Sequence, residues 1–223
     1  MKYLRKFNTA EELSAWQSSS EYAKPNVVLA EGVINYNLPR FGVFIQHIDG
    51  TLYDEAGWIS GGFGNDAANG VAVIDSRASF VIAKTNITFM EWASNYTQAV
   101  DGVLLTSDRD TAKADYKGAE NTKLIVAGYD TGKAAYSCAN YEFPNGQKGY
   151  LPALGEWVVA KSYKDAIDET VLLIGGDAIA EKAHWSSTQY GSQTAWTHNW
   201  ASSSGTGNSS KENVNRVRAF TTL

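Results

Sequence analysis

Three histidines, His47, His184 and His198, and one cysteine, Cys138, are the side chains of this chain best suited to ligate a transition metal or to serve as base and nucleophile. Their spacing argues against both roles. No two histidines stand at i, i+2 or i, i+4, the separations that bring two imidazoles to one metal, and a lone cysteine makes neither an internal disulfide nor a thiolate zinc site. Cys138 reads as a buried small hydrophobe. Ser186 and Ser187 follow His184 in "HWSST", but no Gly-x-Ser-x-Gly elbow is present to strain a serine into attack, and the carboxylates form no defensible pair. "GGFGND", Gly61 to Asp66, matches the glycine-aspartate calcium repeat, which works by sharing each ion between stacked copies; a single copy reads as a mobile glycine loop. The sequence therefore predicts no enzyme, no catalytic residue, no metal and no cofactor.

The chemistry that remains is non-covalent, and it concentrates near the carboxyl end in "AWTHNWASSSGTGNSSKENVNRVRAFTTL". Here Trp196, Trp200, Arg216 and Arg218 stand amid small polar residues. Such a stretch offers rigid aromatic and forked cationic anchors together with many small hydrogen-bonding groups. The 223 residues are 43% hydrophobic, enough for one substantial core or two small ones. With 24 acidic residues against 19 basic ones, the chain has no basic stripe of the kind nucleic acid requires, and its longest apolar runs are far shorter than a membrane span. After Lys2, Arg5 and Lys6, polar residues Asn8, Thr9 and Glu11 replace the apolar run of a secretory leader, so no signal peptide is expected.

The secondary structure that would hold these residues in place is read from local pattern. Residues 1–40 read as a small N-terminal module: a capping box Thr9 to Glu12 opens a short helix carrying Leu13 and Trp16, Lys24-Pro25 is a hinge, and Asn26 to Glu31 and Val33 to Asn37 read as strands, with Leu38-Pro39-Arg40 as junction. From Phe41 the pattern turns to strands, "FGVFIQHI", "TLYDEAGWI", "GVAVIDS" and "SFVIAKTNI", with Asp49-Gly50 as a hairpin turn. "NTKLIVAG" suits either a helix or a buried strand. Pro152 through Gly176 reads as two consecutive helices: Pro152 in a first turn, Leu154, Trp157 and Val158 on one face, a second cap near Ser162, and Gly175-Gly176 as the stop. After Trp185 short strands return, and the alternation of "RVRAF" places Val217 and Ala219 on one face and the arginines on the other.

"GYLPALGEW", "LLIGGDAI", "HWSSTQY", "AW", "NW" and "NRVRAF", in this order, resemble the C-type-lectin-fold domain of the variable proteins of diversity-generating retroelements, related to bacterial surface major paralogous domains. "GVFIQHIDGTLYDEAGW" and "CANYEFPNGQKGYLP" are similar to the gut bacterial and phage branch, so the resemblance covers about residues 41–223. It implies an α+β fold, a C-type lectin fold with a twisted antiparallel sheet and two short helices, carrying a variable region 185–220. In that family a reverse transcriptase copies a template with errors at adenines while the scaffold stays fixed. Trp185, Trp196, Val217 and Phe220 would be frame, Trp200 frame or rim, and Arg216 with Arg218 would anchor the last strand. The ligand-binding set would be Tyr190, Ser192, Thr194, Thr197, Asn199, Trp200, Ser202, Thr206, Asn208, Ser210, Asn213 and Asn215.

Composition bears on this. An AAC codon altered at its adenines yields Ser, Thr, Gly, Ala, Asp, His or Tyr but never Trp, Lys, Glu or Gln. From Tyr190 to Ser210, Ser, Thr, Gly and Asn make up 14 of 21 residues with no Asp, Glu, Lys or Arg, a bias that polar turns also favour. The pattern departs from sugar-binding lectins: Glu142-Phe143-Pro144-Asn145 and Asn199-Trp200-Ala201 stand where calcium-holding tripeptides would be, so calcium-dependent sugar binding is not implied. The cysteine pair of the formylglycine-generating enzymes, which share the fold, is missing as well. The resemblance implies a receptor-binding protein of a phage tail tip or a surface adhesin, located on a virion or cell surface. Its expected partner is a host-cell surface protein or glycan, with a virion structural partner at the N-terminal module, no nucleic acid and no membrane, and room for an oligomer. The alternative is an undiversified lectin-like structural domain of a bacterial or phage assembly.

Overall fold

The computed structural model describes residues 3–5, 27–29, 41–94, 97–129, 133–201 and 205–223. Strand β1 (Tyr3–Arg5) pairs in parallel with β2 (Val27–Leu29), the latter inside the run expected as a strand. The capping box at Thr9, the Lys24-Pro25 hinge, the strand at Val33 and the junction at Leu38 lie outside the described residues.

The rest is α+β, built on two five-stranded sheets. In chain order its elements begin with β3 (Gly42–His47), β4 (Leu52–Tyr53), α1 (Glu55–Gly61), β5 (Ala68–Ile74), β6 (Ser79–Ile82) and β7 (Thr88–Met90). The helices α2 (Arg109–Lys113), α3 (Gly118–Tyr129), α4 (Ala134–Asn140), α5 (Leu154–Ser162) and α6 (Lys164–Leu173) follow. The chain closes with β8 (Ala183–Gly191), β9 (Thr194–Asn199), β10 (Thr206–Ser210), β11 (Asn215–Val217) and β12 (Phe220–Thr222). One sheet has the order β12-β6-β5-β3-β4, the other β10-β9-β8-β11-β7. The expectation of a single antiparallel sheet is thus corrected: there are two, and β11 runs parallel to β8. No helix among the described residues is long and apolar enough to cross a membrane.

The first sheet is a central layer. On β5, Ala72 and Ile74 join a core with Trp92, Ile125, Cys138 and Trp185, whereas Val71 and Val73 join a second core with Trp157, Ile167, Val171 and Trp200. Burial on both faces explains why "GVAVI" is an unbroken apolar run with no polar alternation. Asp49-Gly50 makes the expected hairpin: Gly50 takes φ 85°, and Asp49 accepts the Thr51 N–H at 2.8 Å.

Several local expectations are corrected. "DEAGWISG" is the helix α1 and not a strand, because Asp54 caps it through the Gly57 N–H at 2.7 Å and Gly62 ends it at φ 65°. Only the first four residues of "SFVIAKTNI" are a strand, β6; the chain then leaves the first sheet, and β7 of the second begins just past the run at Thr88. "NTKLIVAG" is helical, within α3. The pair α5 and α6 stands as predicted, with Gly175 at φ 70° ending α6, but α5 begins at Leu154, two residues past Pro152, and Ser162 donates to the Val158 carbonyl and does not cap α6.

Candidate functional site

The carboxyl-terminal tryptophans each seat in a different part of the frame. Trp185 packs in the first core, Trp200 in the second, and Trp196 in a small third cluster with Ala112 of α2 and Leu154 of α5. Their indole N–H groups all find acceptors: Trp185 on the Met90 carbonyl at 2.8 Å, Trp196 on the Thr106 carbonyl at 2.8 Å and Trp200 on Asp168 at 2.9 Å. A buried indole needs such a partner, and here each bond ties the tail to a segment far away in sequence. The predicted frame residues Trp185, Trp196, Val217 and Phe220 are all buried.

Arg218 is the second anchor, and the structure shows why it must be arginine. The chain crosses from one sheet to the other between β11 and β12, and Arg218 sits at that crossing, fully buried. Its Nε donates to the Ala83 carbonyl (2.8 Å), Nη1 to the Asp177 carbonyl (2.9 Å) and Asn86 Oδ1 (3.1 Å), and Nη2 to the Lys84 carbonyl (2.6 Å). A planar fork reaches four oxygens in different directions; an ammonium could not. Burial lowers its pKa to about 10, so it stays charged at neutral pH. The two arginines, expected on one face as anchors of the last strand, differ in burial: Arg218 is interior, while half-buried Arg216 lies over the Phe89 ring at 4.3 Å.

Sequence reading missed a third anchor, Lys211. It is buried, 4.5 Å over the Trp92 ring, and donates to the carbonyls of Ser192 (2.8 Å) and Gln98 (3.1 Å) and to Gln189 Oε1 (2.9 Å). Burial pushes its pKa down to about 8. The signal was there: it is the first charged residue after the uncharged run from Tyr190 to Ser210.

Eleven of the twelve expected contact residues are described, and nine of them stand on this frame away from its buried interior. Register places Asn208 opposite Trp196, Ser210 opposite Thr194 and Thr206 opposite His198, so these side chains share one sheet face. Tyr190 joins them, its ring 5.0 Å from Trp196 in an edge-to-face pair. At one end, the β8–β9 turn carrying exposed Ser192 lies beside the β10–β11 turn carrying exposed Asn213, tied together by Lys211. Asn213 donates to Ser209 Oγ at 3.1 Å and Asn199 caps its own turn by accepting the Ala201 N–H at 3.0 Å. Asn215 is half-buried on β11, on the far side of β8. Two assignments are corrected: Thr197 is 5% exposed, facing the interior opposite Trp185, and Trp200 is 0% exposed, so neither touches anything outside the protein. Ser202 lies outside the described residues.

A groove of about 530 Å³ opens on this face, lined by Tyr190, Trp196, Gly207 and Asn208 on the sheet side and Ser107, Arg109, Asp110 and Lys113 on the other. Its second wall is α2, which Asp108 caps by accepting the Thr111 N–H at 2.7 Å. Lys113 pairs with Asp110 at 3.6 Å, while Arg109 stands exposed beside them. Sequence reading found Tyr190 and Asn208 but not the α2 residues, which stand far upstream in the chain. Beneath the groove is a buried polar layer. Asp115 accepts from Thr188 Oγ1 (2.8 Å) and Asn121 Nδ2 (3.0 Å), and Thr188 Oγ1 in turn accepts the Leu154 N–H (3.0 Å). Buried Glu156 accepts the Ala153 N–H at 2.7 Å and the Tyr150 hydroxyl at 3.0 Å, and desolvation raises its pKa to about 8.

The residues of "HWSST" belong to this interior. Ser186 and Ser187 are buried; Ser186 Oγ donates to the Trp196 carbonyl at 2.8 Å and Ser187 Oγ accepts from Asn121 at 3.2 Å. His184 and His198, scattered in sequence, are register partners across β8 and β9, with Trp157 stacked on His198 at 5.8 Å and 3°. Burial lowers their pKa values to about 4 and about 3. Among the described residues no third His, Cys, Asp or Glu joins them to make a metal-binding group.

No protein-family model matches the chain, and no curated protein does. Among solved structures, a fimbrial protein from Bacteroides ovatus ATCC 8483 is similar with a TM-score of 0.56, the likeness covering 83% of this chain and 49% of the fimbrial one at 13% sequence identity. The chain spans about half the length of that protein. At this identity the likeness is one of fold.

Proposed function

We propose that this chain is a non-enzymatic binding protein of a cell or virion surface, a C-type-lectin-type scaffold that presents the residues between Tyr190 and Asn213 to a host-cell surface protein or glycan. The observation that carries the reading is the division of labour in the carboxyl-terminal segment. Its tryptophans, Lys211 and Arg218 are all buried and hydrogen-bonded, while Ser192, Asn208 and Asn213 stand exposed at one end and one groove of the same face. A stiff frame limits the entropy lost on binding, and small polar groups set specificity. The fold likeness to a fimbrial protein agrees with a surface role. We read the segment 185–220 as diversified by a retroelement, which accounts for the uncharged Ser/Thr/Gly/Asn bias from Tyr190 to Ser210.

Two experiments test this. Fluorescent protein applied to a panel of intact bacterial and epithelial cells should label some of them, and a folded variant with Ser192→Glu, Asn208→Glu and Asn213→Glu should lose that labelling; labelling that persists contradicts the reading. Sequencing the flanking DNA should find a near-copy of the codons for 185–220, differing only at adenines, beside a reverse transcriptase gene. Finding neither favours the second reading, an undiversified structural domain of a surface assembly, which the fimbrial likeness also suits.

A further inference from the structure

We infer that the groove between α2 and β10 takes an extended acidic peptide segment, which adds to the sheet as a strand beside β10 and sets a carboxylate against Arg109 and Lys113. This deepens the proposed binding function and rests on it. Three observations support the inference. First, β10 is an edge strand. The Asn199 N–H donates to the Gly205 carbonyl and the Lys211 N–H to the Gln193 carbonyl, and between these two bonds the antiparallel ladder alternates. Gly207 and Ser209 therefore turn their backbone groups inward to β9. Thr206 and Asn208 turn theirs outward, as Ser210 does its N–H, to where no described strand lies.

Second, β10 reads "TGNSS" and carries none of the features with which exposed edges avoid pairing: no lysine, no proline and no inward-pointing charge. Its five residues offer the outward groups to which a short extended segment can bond, and an added strand binds chiefly through such main-chain bonds. Third, the residues lining the wall that faces such a strand are positive on balance. Arg109 and Lys113 oppose the single carboxylate of Asp110, which Lys113 already engages, on a protein that is acidic as a whole. A side chain of the added strand on the face of Asn208 projects toward this wall, and Arg109 offers a fork to a carboxylate. A basic segment finds no matching acid there beyond Asp110.

The test uses the whole chain and three blocked probes: a Thr-Glu alternating hexapeptide, its Thr-Lys counterpart, and the Thr-Glu peptide N-methylated at alternate amides. Amide signals of Thr206, Asn208 and Ser210 should shift saturably with the Thr-Glu peptide, and N-methylation should weaken binding by about tenfold or more. The double substitution Arg109→Glu with Lys113→Glu, in a chain shown to be folded by its retained amide spectrum, should reverse the preference toward the Thr-Lys peptide. No saturable shift, equal binding of both charges, or indifference to N-methylation overturns the inference. So does an oligogalacturonate that produces the same shifts in the absence of peptide binding, which would assign the groove to an acidic glycan. If the peptides fail while the glutamate variants at Ser192, Asn208 and Asn213 still abolish cell labelling, the binding function stands and only this ligand class falls.

Discussion

At the scale of single residues, the chain is legible wherever residue type alone dictates the role. An indole buries and needs one acceptor, and a guanidinium near a strand end anchors through its fork; Trp185, Trp196 and Arg218 behave in this way. Replacing Arg218 by Leu leaves the carbonyls of Ala83 and Asp177 without their side-chain donor, while that of Lys84 keeps the Asp177 N–H, and should lower unfolding free energy in urea by about 3–5 kcal/mol. The histidines were illegible for the opposite reason, since pairing across β8 and β9 depends on register and not on spacing. They make stability pH-dependent. With folded pKa values of about 4 and about 3 against 6.5, the unfolded chain takes up protons first, so their stabilising neutrality is complete above 6.5 and is lost as pH falls through that window. The cationic neighbours Lys161, Arg216 and Arg218 act in the same sense as burial. Glu156, raised from 4.5 to about 8, acts oppositely, its contribution declining as pH rises between those values. Two histidines outweigh one carboxyl between 6.5 and 4.5, so these groups together predict a thermal midpoint that is highest near 6.5, falls on acidification and more steeply below 4.5, and falls also toward 8. The variant His198→Phe, which keeps a ring on Trp157, should flatten the acid side; an unchanged acid limb would contradict this account.

At the scale of elements, the hairpin at Asp49-Gly50 and the helix pair ending at Gly175 were legible because turn and stop chemistry is local. The helix α1 was not, because "TLYDEAGWI" begins as a strand and the decisive event is one cap by Asp54. Nor was the groove, whose wall α2 is held by a close approach invisible in one dimension. At Gly155 a Cβ would lie 2.4 Å from the Asp115 carbonyl oxygen and 2.7 Å from that of Lys113, so α5 and the end of α2 touch backbone to backbone. Gly155→Ala should therefore cost about 2 kcal/mol or more and disturb the groove. Gly128→Ala, exposed in α3 with only an ordinary 3.9 Å contact to Val100, should stabilise by about 0.5–1 kcal/mol. Thermal melts of the two single variants, expected to move in opposite directions, check the pair. Lys211 works at this scale too: Lys211→Met removes the ammonium that ties the Ser192 carbonyl of the β8–β9 turn to the start of the β10–β11 turn, and faster amide exchange at both turns is expected, with the distant α6 unaffected.

At the scale of the whole molecule, α+β character was readable from the order of patterns along the chain, whereas the division into two sheets was not. It depends on the break between β11 and β12, where "RVRAF" looks like one strand and the Arg218 crossing splits it. The division of the tail into frame and face arises from the same arrangement, and it has a direct test. In a display library with every substitution at positions 185–220, sorted first for folding with a conformation-sensitive protease, Ser192, Asn208 and Asn213 should accept nearly all residues, charged ones included. Trp185, Trp196, Trp200, Lys211 and Arg218 should accept almost none. Tolerance at those five positions, or loss of folding on charge substitution at Ser192, Asn208 and Asn213, would contradict the view that a replaceable face stands on a fixed frame.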